Sequence, residues 1–308
     1  MNEQNNNRAG RRRKAKRRKL ITIIVLLLLC IASAVYILVH FGNDSGNESA
    51  GEPAAETPAA GETADEEVPG TVEEGIAASH VYSHRGSAGD DELTFAAYDK
   101  AVEAGSKYIE ADIVVSGDGT VYLAHDDYAM DMTGTNGYFS GMTDGQIAKL
   151  KTKNGSSVLK LKDLFEKYGD SVNYIVDIKY VSQRNVEAFT IAVRTSGLED
   201  NVIAASSFFD ALRPLDETFP DMTKMYICAD QATFDIATGN DYVDIISVPK
   251  SIMTADNLKA AHEHNKKFSA WTLNTEEEIR DAIELGVDSY FTDDTELAIK
   301  VEKENRTE

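Results

Sequence analysis

The sequence KYIEADIVVSGDGTVYLAHDD, at residues 107–127, decides the fold. Its first half has the strand pattern, in which alternate residues face the same side, so Glu110 and Asp112 share one face while Ile109 and Ile113 share the other. The GDG that follows is typical of a hairpin turn between strands, not of a nucleotide-binding loop. An apolar face opposite two carboxylates predicts a strand whose outer side lies under helices and whose acids point into a barrel.

Short β-rich runs alternate with helical patterns along Ile76–Glu308, which at 233 residues is close to the ~250 residues typical of a (β/α)₈ barrel. The predicted strands are 81–85, 107–115, 172–179, 201–207, 224–229, 243–248, 268–273 and 289–292. The predicted helices are 93–104, 161–168, 186–195, 208–217, 255–265, 276–285 and 295–303. Eight strands in this alternation predict an α/β fold of the TIM-barrel class.

A second acidic strand converges on the same centre. In VNYIVDIK (172–179), Asp177 and Lys179 share a face, as the alternation of strand residues requires. The polar strand-end groups are, in chain order, HRG at 84–86, E-x-D at 110–112, HD at 125–126, D-x-K at 177–179 and WTLN at 271–274. Carboxylates bind hard divalent cations, imidazoles exchange protons near neutral pH, and Arg and Lys donate to phosphate. The set is suited to metal-assisted cleavage of a phosphate ester.

The charge of the chain is unevenly distributed. Overall, 31 basic and 52 acidic residues give a formal charge of −21. Residues 1–19 hold nine bases and one acid, residues 42–75 hold ten acids and no base, and the remaining 233 residues carry 22 bases and 41 acids. So acidic a C-terminal part argues against binding to nucleic acid, because it repels phosphate backbones.

Residues 20–41 contain no Asp, Glu, Lys or Arg, and a helix of that length is long enough to cross a bilayer. The basic run lies before this segment and the acidic stretch after it, which predicts a single-pass signal anchor with a cytoplasmic N-terminus and the C-terminal domain outside. A cleaved signal peptide ending at Ala32-Ser33-Ala34 is the alternative, but the apolar stretch continues beyond it. A lipoprotein would need a small residue where Leu29 precedes Cys30.

Residues 42–75 carry three of the six prolines and no aromatic residue, which predicts a disordered acidic linker. Cys30 lies in the apolar segment and Cys228 in the C-terminal domain, so no intramolecular disulfide is expected. The predicted organisation is therefore a basic tail (1–19), a transmembrane anchor (20–41), the linker (42–75) and the barrel (76–308).

The motifs resemble the glycerophosphodiester phosphodiesterases, TIM-type barrels of the same superfamily as phosphatidylinositol-specific phospholipase C. The likeness runs through SHRG (83–86), residues 91–127, VDIK (176–179), SAWTLN (269–274) and GVDSYFTDD (286–294). The middle of the domain, from Ser182 to Val243, agrees only in its pattern of elements. The ordered combination of motifs is far more specific than any one of them, and the anchor suggests a membrane-bound bacterial member.

The resemblance implies a role for each of these residues. His84 and His125 would be the acid/base pair, and Arg85 and Lys179 would hold the substrate phosphate. The ligands of a Ca²⁺ or Mg²⁺ ion would be Glu110, Asp112 and Asp177.

Several residues around this set remain open. Glu92 corresponds to an acid that the resemblance puts in the outer shell of the metal, although Asp91 replaces the family's Pro and Leu93 its Asn. Asp177 replaces a more common Glu. Asp126 and Trp271 are expected to border the site, Trp271 with a core position as the alternative. The insertion 126–143 would cap the barrel, with Tyr128, Tyr138 and Phe139 either contacting the alcohol part of a substrate or packing on the barrel.

Structural interpretations compete with functional ones at six residues. We expect His80, His262 and His264 to be structural hydrogen-bonding residues. The carboxylate of Asp177 could simply pair with Lys179. Asp293 and Asp294 are expected to cap the last helix.

Three functions are compatible with these observations. The first is an outward-facing, metal-dependent hydrolase that converts glycerophosphodiesters to glycerol 3-phosphate and an alcohol. The second acts, with the same residues, on lysophospholipid or on a teichoic-acid-type glycerophosphate polymer. The third is a surface binding module without turnover, suggested by the altered DELT segment (91–94) but disfavoured by the intact His84, Glu110, Asp112 and His125.

Overall fold

A computed structural model of the 308-residue chain describes residues 80–87 and 91–306, all within one compact unit. The strands are β1 Val81–Ser83, β2 Tyr108–Val115, β3 Val121–Leu123, β4 Asn173–Ile178, β5 Val202–Ser206, β6 Thr223–Ile227, β7 Ile245–Pro249, β8 Lys267–Trp271 and β9 Ser289–Thr292. The helices are α1 Phe95–Glu103, α2 Met130–Thr133, α3 Asp144–Ile147, α4 Leu161–Tyr168, α5 Gln183–Ser196, α6 Phe209–Thr218, α7 Gln231–Thr238, α8 Ala255–Glu263, α9 Glu276–Leu285 and α10 Thr295–Arg306. Short 3₁₀ helices occupy Phe139–Gly141 and Lys250–Ile252.

Within the described residues, eight parallel strands close into a barrel. The order is β1-β9-β8-β7-β6-β5-β4-β2, and β1 also pairs with β2, so the sheet has no free edge there. The short β3 lies antiparallel on β2, joined to it by the predicted GDG turn. The predicted TIM-type barrel and its eight strands are confirmed.

Alternation along the strands produces two apolar layers. Between the barrel and its helices lie the outward residues, such as Ile109, Ala111 and Ile113 of β2. Inside the barrel a smaller cluster includes Ile175 and Phe291. Glu110 and Asp112 are on the inner face of β2, as the pattern predicted.

All seven predicted helices are present, and three further helices, α2, α3 and α7, were not predicted. A Ser, Thr or Asp side chain accepts a backbone hydrogen bond at the start of several helices, for example Thr275 before α9 and Ser182 before α5. The sequence pattern predicts no helix between β6 and β7, where α7 lies. Its N-terminus has a reciprocal cap between Asp230 and Thr233, and this pair was the signal that could have revealed it.

The cap over the barrel is built from α2, the first 3₁₀ helix and α3. Its apolar side chains, with Phe139 fully buried among them, pack on the β2–β3 hairpin. Phe139 is therefore a packing residue, which is the second of its two predicted roles.

In the part of the chain that the structure describes, no helix is both long and apolar enough to cross a membrane. The predicted tail (1–19), anchor (20–41) and linker (42–75) all lie outside the described residues.

Candidate active site

Strand ends at the C-terminal mouth of the barrel bring the predicted residues to one cavity of about 200 Å³, here called the inner cavity. Its polar half is lined by His84, Arg85, Glu110, Asp112, His125, Asp177 and Lys179. Its other half is lined by Ser207, Ile227, Cys228, Ala229, Ser247, Trp271 and Phe291. All seven residues predicted to act in catalysis, phosphate binding or metal binding are thus neighbours.

The turn after β1 has an unusual backbone that aims Arg85 into the site. Arg85 has a φ of 55° and Gly86 a φ of 101°, both in the left-handed region. A Cβ on Gly86 would approach the Cβ of Ala97 to 2.6 Å, so helix α1 packs directly against this glycine. The backbone N–H of Arg85 donates to Glu110 Oε2 at 2.9 Å.

The carboxylate of Asp112 lies between two cations. Arg85 Nε is 2.8 Å from Asp112 Oδ2, and Lys179 Nζ is 2.9 Å from Asp112 Oδ1. Lys179 Nζ is also 2.8 Å from Asp177 Oδ2, so the predicted pair of Asp177 and Lys179 exists. Burial opposes ionisation of Asp112, but Lys179 and Arg85 outweigh it and lower the pKa of this carboxyl.

Glu110, Asp112 and Asp177 form a buried acidic triad. They are 3%, 1% and 3% exposed, and one oxygen from each lies within 4.8 Å of the others. Burial, and then the neighbouring Asp112, raise the pKa of Glu110 well above its usual range, and burial also raises the pKa of Asp177. Buried like charges at this separation favour a bound cation or a proton.

The triad fits a hard divalent cation. Asp177 Oδ1 is buried and has no hydrogen-bond partner among the described residues, so it has a lone pair to offer. The donors are all carboxylate oxygens from two adjacent strands, the ligand type that Ca²⁺ and Mg²⁺ prefer. These three residues could therefore hold a metal ion.

Each of the two predicted catalytic histidines is hydrogen-bonded to a carboxylate. His84 Nδ1 is 2.6 Å from Asp293 Oδ1, and His125 Nδ1 is 2.9 Å from Asp126 Oδ2. A carboxylate at Nδ1 favours the tautomer with its proton there, which leaves Nε2 able to accept a proton. Asp126 is thus a partner of His125, in agreement with its predicted position at the border of the site.

Asp293 is a site residue for which the sequence pattern predicts only a capping role. Its Oδ2 accepts a hydrogen bond of 2.6 Å from the side chain of Asn274, the last residue of the WTLN motif. Although burial opposes it, the hydrogen bond from His84 lowers the pKa of Asp293. The capping prediction is confirmed for Asp294, whose Oδ1 accepts from the Leu297 N–H at 3.1 Å, but is wrong for Asp293.

The position of Asp293 at the end of β9 was the signal that could have placed it in the site. Asp293 follows β9 directly, and the pairing of Thr292 with Ser83 brings the end of β9 beside His84. Because β9 and β1 are the strands that close the barrel, a prediction of closure implies this contact.

The remaining predicted residues lie at the edges. Glu92 is half exposed, and its Oε2 accepts a hydrogen bond of 3.0 Å from Arg85 Nη1. Its link to the acidic triad therefore runs through the side chain of Arg85. Trp271, at the end of β8, both lines the inner cavity and packs against the apolar cluster inside the barrel, so it has features of both of its alternatives. His262 and His264 bond to Asp288 and to a backbone carbonyl, as structural histidines do.

A second cavity of about 360 Å³, here called the outer cleft, adjoins the first. The two share Arg85 and His125. The rest of the outer cleft is lined by Asp91, Glu92, Leu93, Asp126, Tyr128, Asp131, Met132, Thr152 and Lys153. Tyr128 lines it and packs against Tyr138 with ring centroids 5.2 Å apart, whereas Tyr138 is not part of the lining.

Comparison with known proteins decides the family. Residues 84–297 match the model of the glycerophosphoryl diester phosphodiesterase family. The chain belongs to this family. The predicted resemblance and the predicted enzyme class, phosphoric diester hydrolase, are therefore confirmed at the level of the family.

Individual relatives agree. A glycerophosphodiester phosphodiesterase of Caldanaerobacter subterraneus subsp. tengcongensis is 26% identical over 235 residues, which cover 72% of this chain and 96% of the relative. The solved structure of the Thermotoga maritima glycerophosphodiester phosphodiesterase has a TM-score of 0.61 at 26% identity and covers 72% and 97% of the two chains. A phosphodiesterase of Oleispira antarctica, solved with its product sn-glycerol-3-phosphate, shares the fold with a TM-score of 0.66 at 20% identity, covering 73% and 96%.

Proposed function

We propose that this chain hydrolyses glycerophosphodiesters to glycerol 3-phosphate and an alcohol. The observation that carries the proposal is the inner cavity, where a carboxylate triad and two cations face two carboxylate-held histidines. The activity named for its relatives in the same family supports it.

Arg85 and Lys179 would bind the phosphate of the diester. Burial alone would lower the pKa of Lys179, but Asp177 and Asp112 outweigh it and raise that pKa, so the ammonium stays charged throughout the working pH range. Both side chains are only about one-fifth exposed and both line the cavity. An anionic diester entering between them is attracted by two positive charges from which water is largely excluded.

His84 and His125 would divide the two proton transfers. A new bond forms from the oxygen of a water molecule to phosphorus, and the bond from phosphorus to the alcohol oxygen breaks. One imidazole accepts a proton from the attacking water, and the other, as imidazolium, donates a proton to the departing alkoxide. Asp293 and Asp126 hold the two rings in orientation and stabilise the protonated forms.

Glu110, Asp112 and Asp177 would hold the divalent cation. When bound by these carboxylates, Ca²⁺ or Mg²⁺ would supply positive charge to offset the negative charge of the phosphoryl oxygens. The chain itself keeps the three carboxylates buried and close together, and the Arg85 N–H fixes the orientation of Glu110.

We also propose that the enzyme works on the outer side of a cell membrane, with residues 20–41 as its anchor. The uncharged segment between a basic and an acidic stretch supports this orientation. Protease treatment of intact cells that carry the full chain with an N-terminal tag should release the C-terminal domain and leave the tag protected. A domain that stays protected until the cells are lysed would contradict the proposal.

The test of activity is the release of glycerol 3-phosphate from glycerophosphocholine by the full chain with Ca²⁺, with Mg²⁺ and with EDTA. We expect metal-dependent release that falls by about 10²-fold or more in His84→Ala and in His125→Ala. His264→Ala is the matched control and should keep wild-type activity, because His264 lies outside both cavities. Lysophospholipid and a glycerophosphate polymer serve as the alternative substrates, and turnover of these alone would change the substrate assignment. Full activity in EDTA would contradict the metal site.

A further inference from the structure

The outer cleft is continuous with the reacting groups of the active site. It shares with the inner cavity both Arg85, which would bind the phosphate, and His125, one of the two catalytic histidines. The inner cavity, at about 200 Å³, is smaller than the ~300–1,000 Å³ typical of pockets that enclose a whole drug-sized ligand. One alcohol of a diester held at Arg85 must therefore extend past His125 into the outer cleft, which adds about 360 Å³.

Negative charge predominates in the outer cleft. Two of its lining side chains are basic and four are acidic. They are Arg85 and Lys153, and Asp91, Glu92, Asp126 and Asp131. Arg85 and Glu92 pair at 3.0 Å and offset each other. The remaining groups are three carboxylates and one ammonium, so the cleft attracts a positively charged group and repels a negatively charged one.

These remaining charges differ in their contacts. Asp126 Oδ2 is 2.9 Å from His125 Nδ1, and Asp91 Oδ2 accepts a hydrogen bond from the hydroxyl of Ser156. Asp131 and Lys153 are both exposed, and neither makes a side-chain hydrogen bond or an ion pair with any described residue. Asp131 is therefore the carboxylate of the cleft that is most available to a ligand.

Tyr128 adds an aromatic surface beside these charges. Its side chain is 37% exposed and lines the cleft. Its hydroxyl donates to Asn136 Oδ1 at 3.1 Å and its ring packs on Tyr138, so two contacts fix its position. The face of a tyrosine ring attracts a cation, and aromatic rings are the usual partners of quaternary ammonium groups. Leu93 and Met132, which also line the cleft, can contact the methyl groups of such a cation.

We propose that the outer cleft selects diesters whose departing alcohol carries a positive charge. The carboxylate of Asp131 attracts this charge, and the ring of Tyr128 packs against it. The ligand class is an alcohol with an ammonium group, quaternary as in choline or primary as in ethanolamine. This specificity role rests on the proposed function and deepens it. A glycerophosphate polymer is then a poor substrate, because it would place a second phosphate beside Asp126 and Asp131.

Substrates that differ in charge but not in shape provide the test. Glycerophosphocholine is compared with the glycerophosphodiester of 3,3-dimethylbutan-1-ol, in which carbon replaces the nitrogen of choline. With the full chain and the activating ion at low salt, we expect kcat/KM to be about tenfold higher for the choline ester, from an exposed charge pair and a cation–π contact together. Since salt screens exposed charges, this ratio should shrink at an ionic strength of about 1 M. Glycerophosphoethanolamine should be preferred in the same way over the neutral ester of propan-1-ol.

Substitutions in the cleft should change this ratio in opposite directions. Asp131→Asn should lower kcat/KM for glycerophosphocholine about threefold and leave that for the neutral ester unchanged. Lys153→Gln removes the opposite charge and should raise the ratio by a similar factor. Tyr128→Leu should lower the ratio about 2–5-fold. Asp281→Asn is the matched control and should change neither rate, because Asp281 is exposed on α9 and lines neither cavity.

Binding of the free alcohols gives a readout that does not need turnover. Saturation-transfer NMR of the full chain should show contact with the methyl protons of choline and less contact with those of 3,3-dimethylbutan-1-ol. The choline signal should weaken in Asp131→Asn and in Tyr128→Leu. Thermal midpoints equal to that of the wild type would show that the variants are folded.

Three results would overturn the proposal. They are equal kcat/KM values of the wild type for the choline ester and its neutral isostere, a ratio that Asp131→Asn leaves unchanged, and equal saturation transfer to the two free alcohols. Absence of turnover of every diester would instead refute the proposed function. The NMR comparison would then decide on the cleft by itself, so the two failures are distinguishable.

Discussion

His84 and His125 are held by carboxylates in different surroundings. Asp293 is itself held by Asn274 and lies at the barrel mouth 209 positions away from His84 in the sequence, whereas Asp126 is the neighbour of His125 and is half exposed. A side chain clamped by a second hydrogen bond orients its partner more firmly than an exposed one does. Asp293 is therefore the positioning residue whose loss should be easiest to detect.

Asp293→Asn should lower kcat by about tenfold to a thousandfold with little change in KM, because it removes the charge that orients and stabilises protonated His84. The pH profile of kcat should shift as well, which a purely structural defect would not cause. Asp294→Asn is the matched control, since the adjacent residue caps α10 and asparagine caps helices equally well. Identical kinetics of the two variants would remove Asp293 from the site.

Asp293 also predicts an acid dependence of stability. Its pKa is lower in the folded protein than in the unfolded chain, so its contribution is present above the unfolded value of about 4 and is lost as the pH falls through the folded value. The free energy of unfolding of wild type minus that of Asp293→Asn should therefore be largest near neutral pH and shrink on acidification. Denaturant unfolding between neutral and acid pH measures this difference. A difference that grows towards acid pH would refute the assignment.

The turn between β1 and α1 is the element on which the site depends most. Gly86→Ala would combine an unfavourable positive φ with a close approach to Ala97, and we expect a loss of about 2–4 kcal/mol in the free energy of unfolding. We expect the rate of glycerol 3-phosphate release to fall by more than this loss of stability alone would cause, because the turn carries His84 and Arg85. Urea unfolding and the glycerol 3-phosphate assay measure the two effects.

Gly119→Ala is the control for the backbone effect. Gly119 has a φ of 96°, close to that of Gly86, but a Cβ there would meet nothing within 4 Å. Its expected cost is about 1 kcal/mol, without loss of activity. Equal destabilisation by the two substitutions would contradict the proposed contact between Gly86 and α1.

The elements differed in how well sequence predicted them. Strands such as β4, with its β-branched and aromatic residues, were placed within two residues of their bounds, since periodicity and composition agree. Helix α7 was missed because QATFDIAT has two threonines and no strong apolar face, so its helical state depends on its cap at Asp230.

Across the whole domain, the acidic triad links β2 to β4, and a bound cation should stabilise the barrel. At a hundredfold excess over its Kd an ion adds about 2.7 kcal/mol, which corresponds to a rise in Tm of about 5–10 °C for a chain of this size. Calorimetry of the full chain with Ca²⁺, with Mg²⁺ and with EDTA measures the shift, and Glu110→Gln should abolish it. Equal Tm values with and without the ions would contradict the site.

This stabilisation should also depend on pH with a defined sign. Metal ligands must be deprotonated, and burial raises the pKa of Glu110 above its usual range. The gain in Tm should thus be largest at high pH and should decrease as the pH falls through that raised value. A gain that increases on acidification would exclude Glu110 as a ligand.

The most direct test of the whole account is the identity of the bond that the enzyme breaks. ³¹P NMR of glycerophosphocholine incubated with the full chain and the activating ion distinguishes the products. We predict sn-glycerol 3-phosphate and choline, formed by the wild type and not by His125→Ala, with the phosphate left on the glycerol. Phosphocholine and glycerol as products, or equal conversion by His125→Ala, would contradict the account.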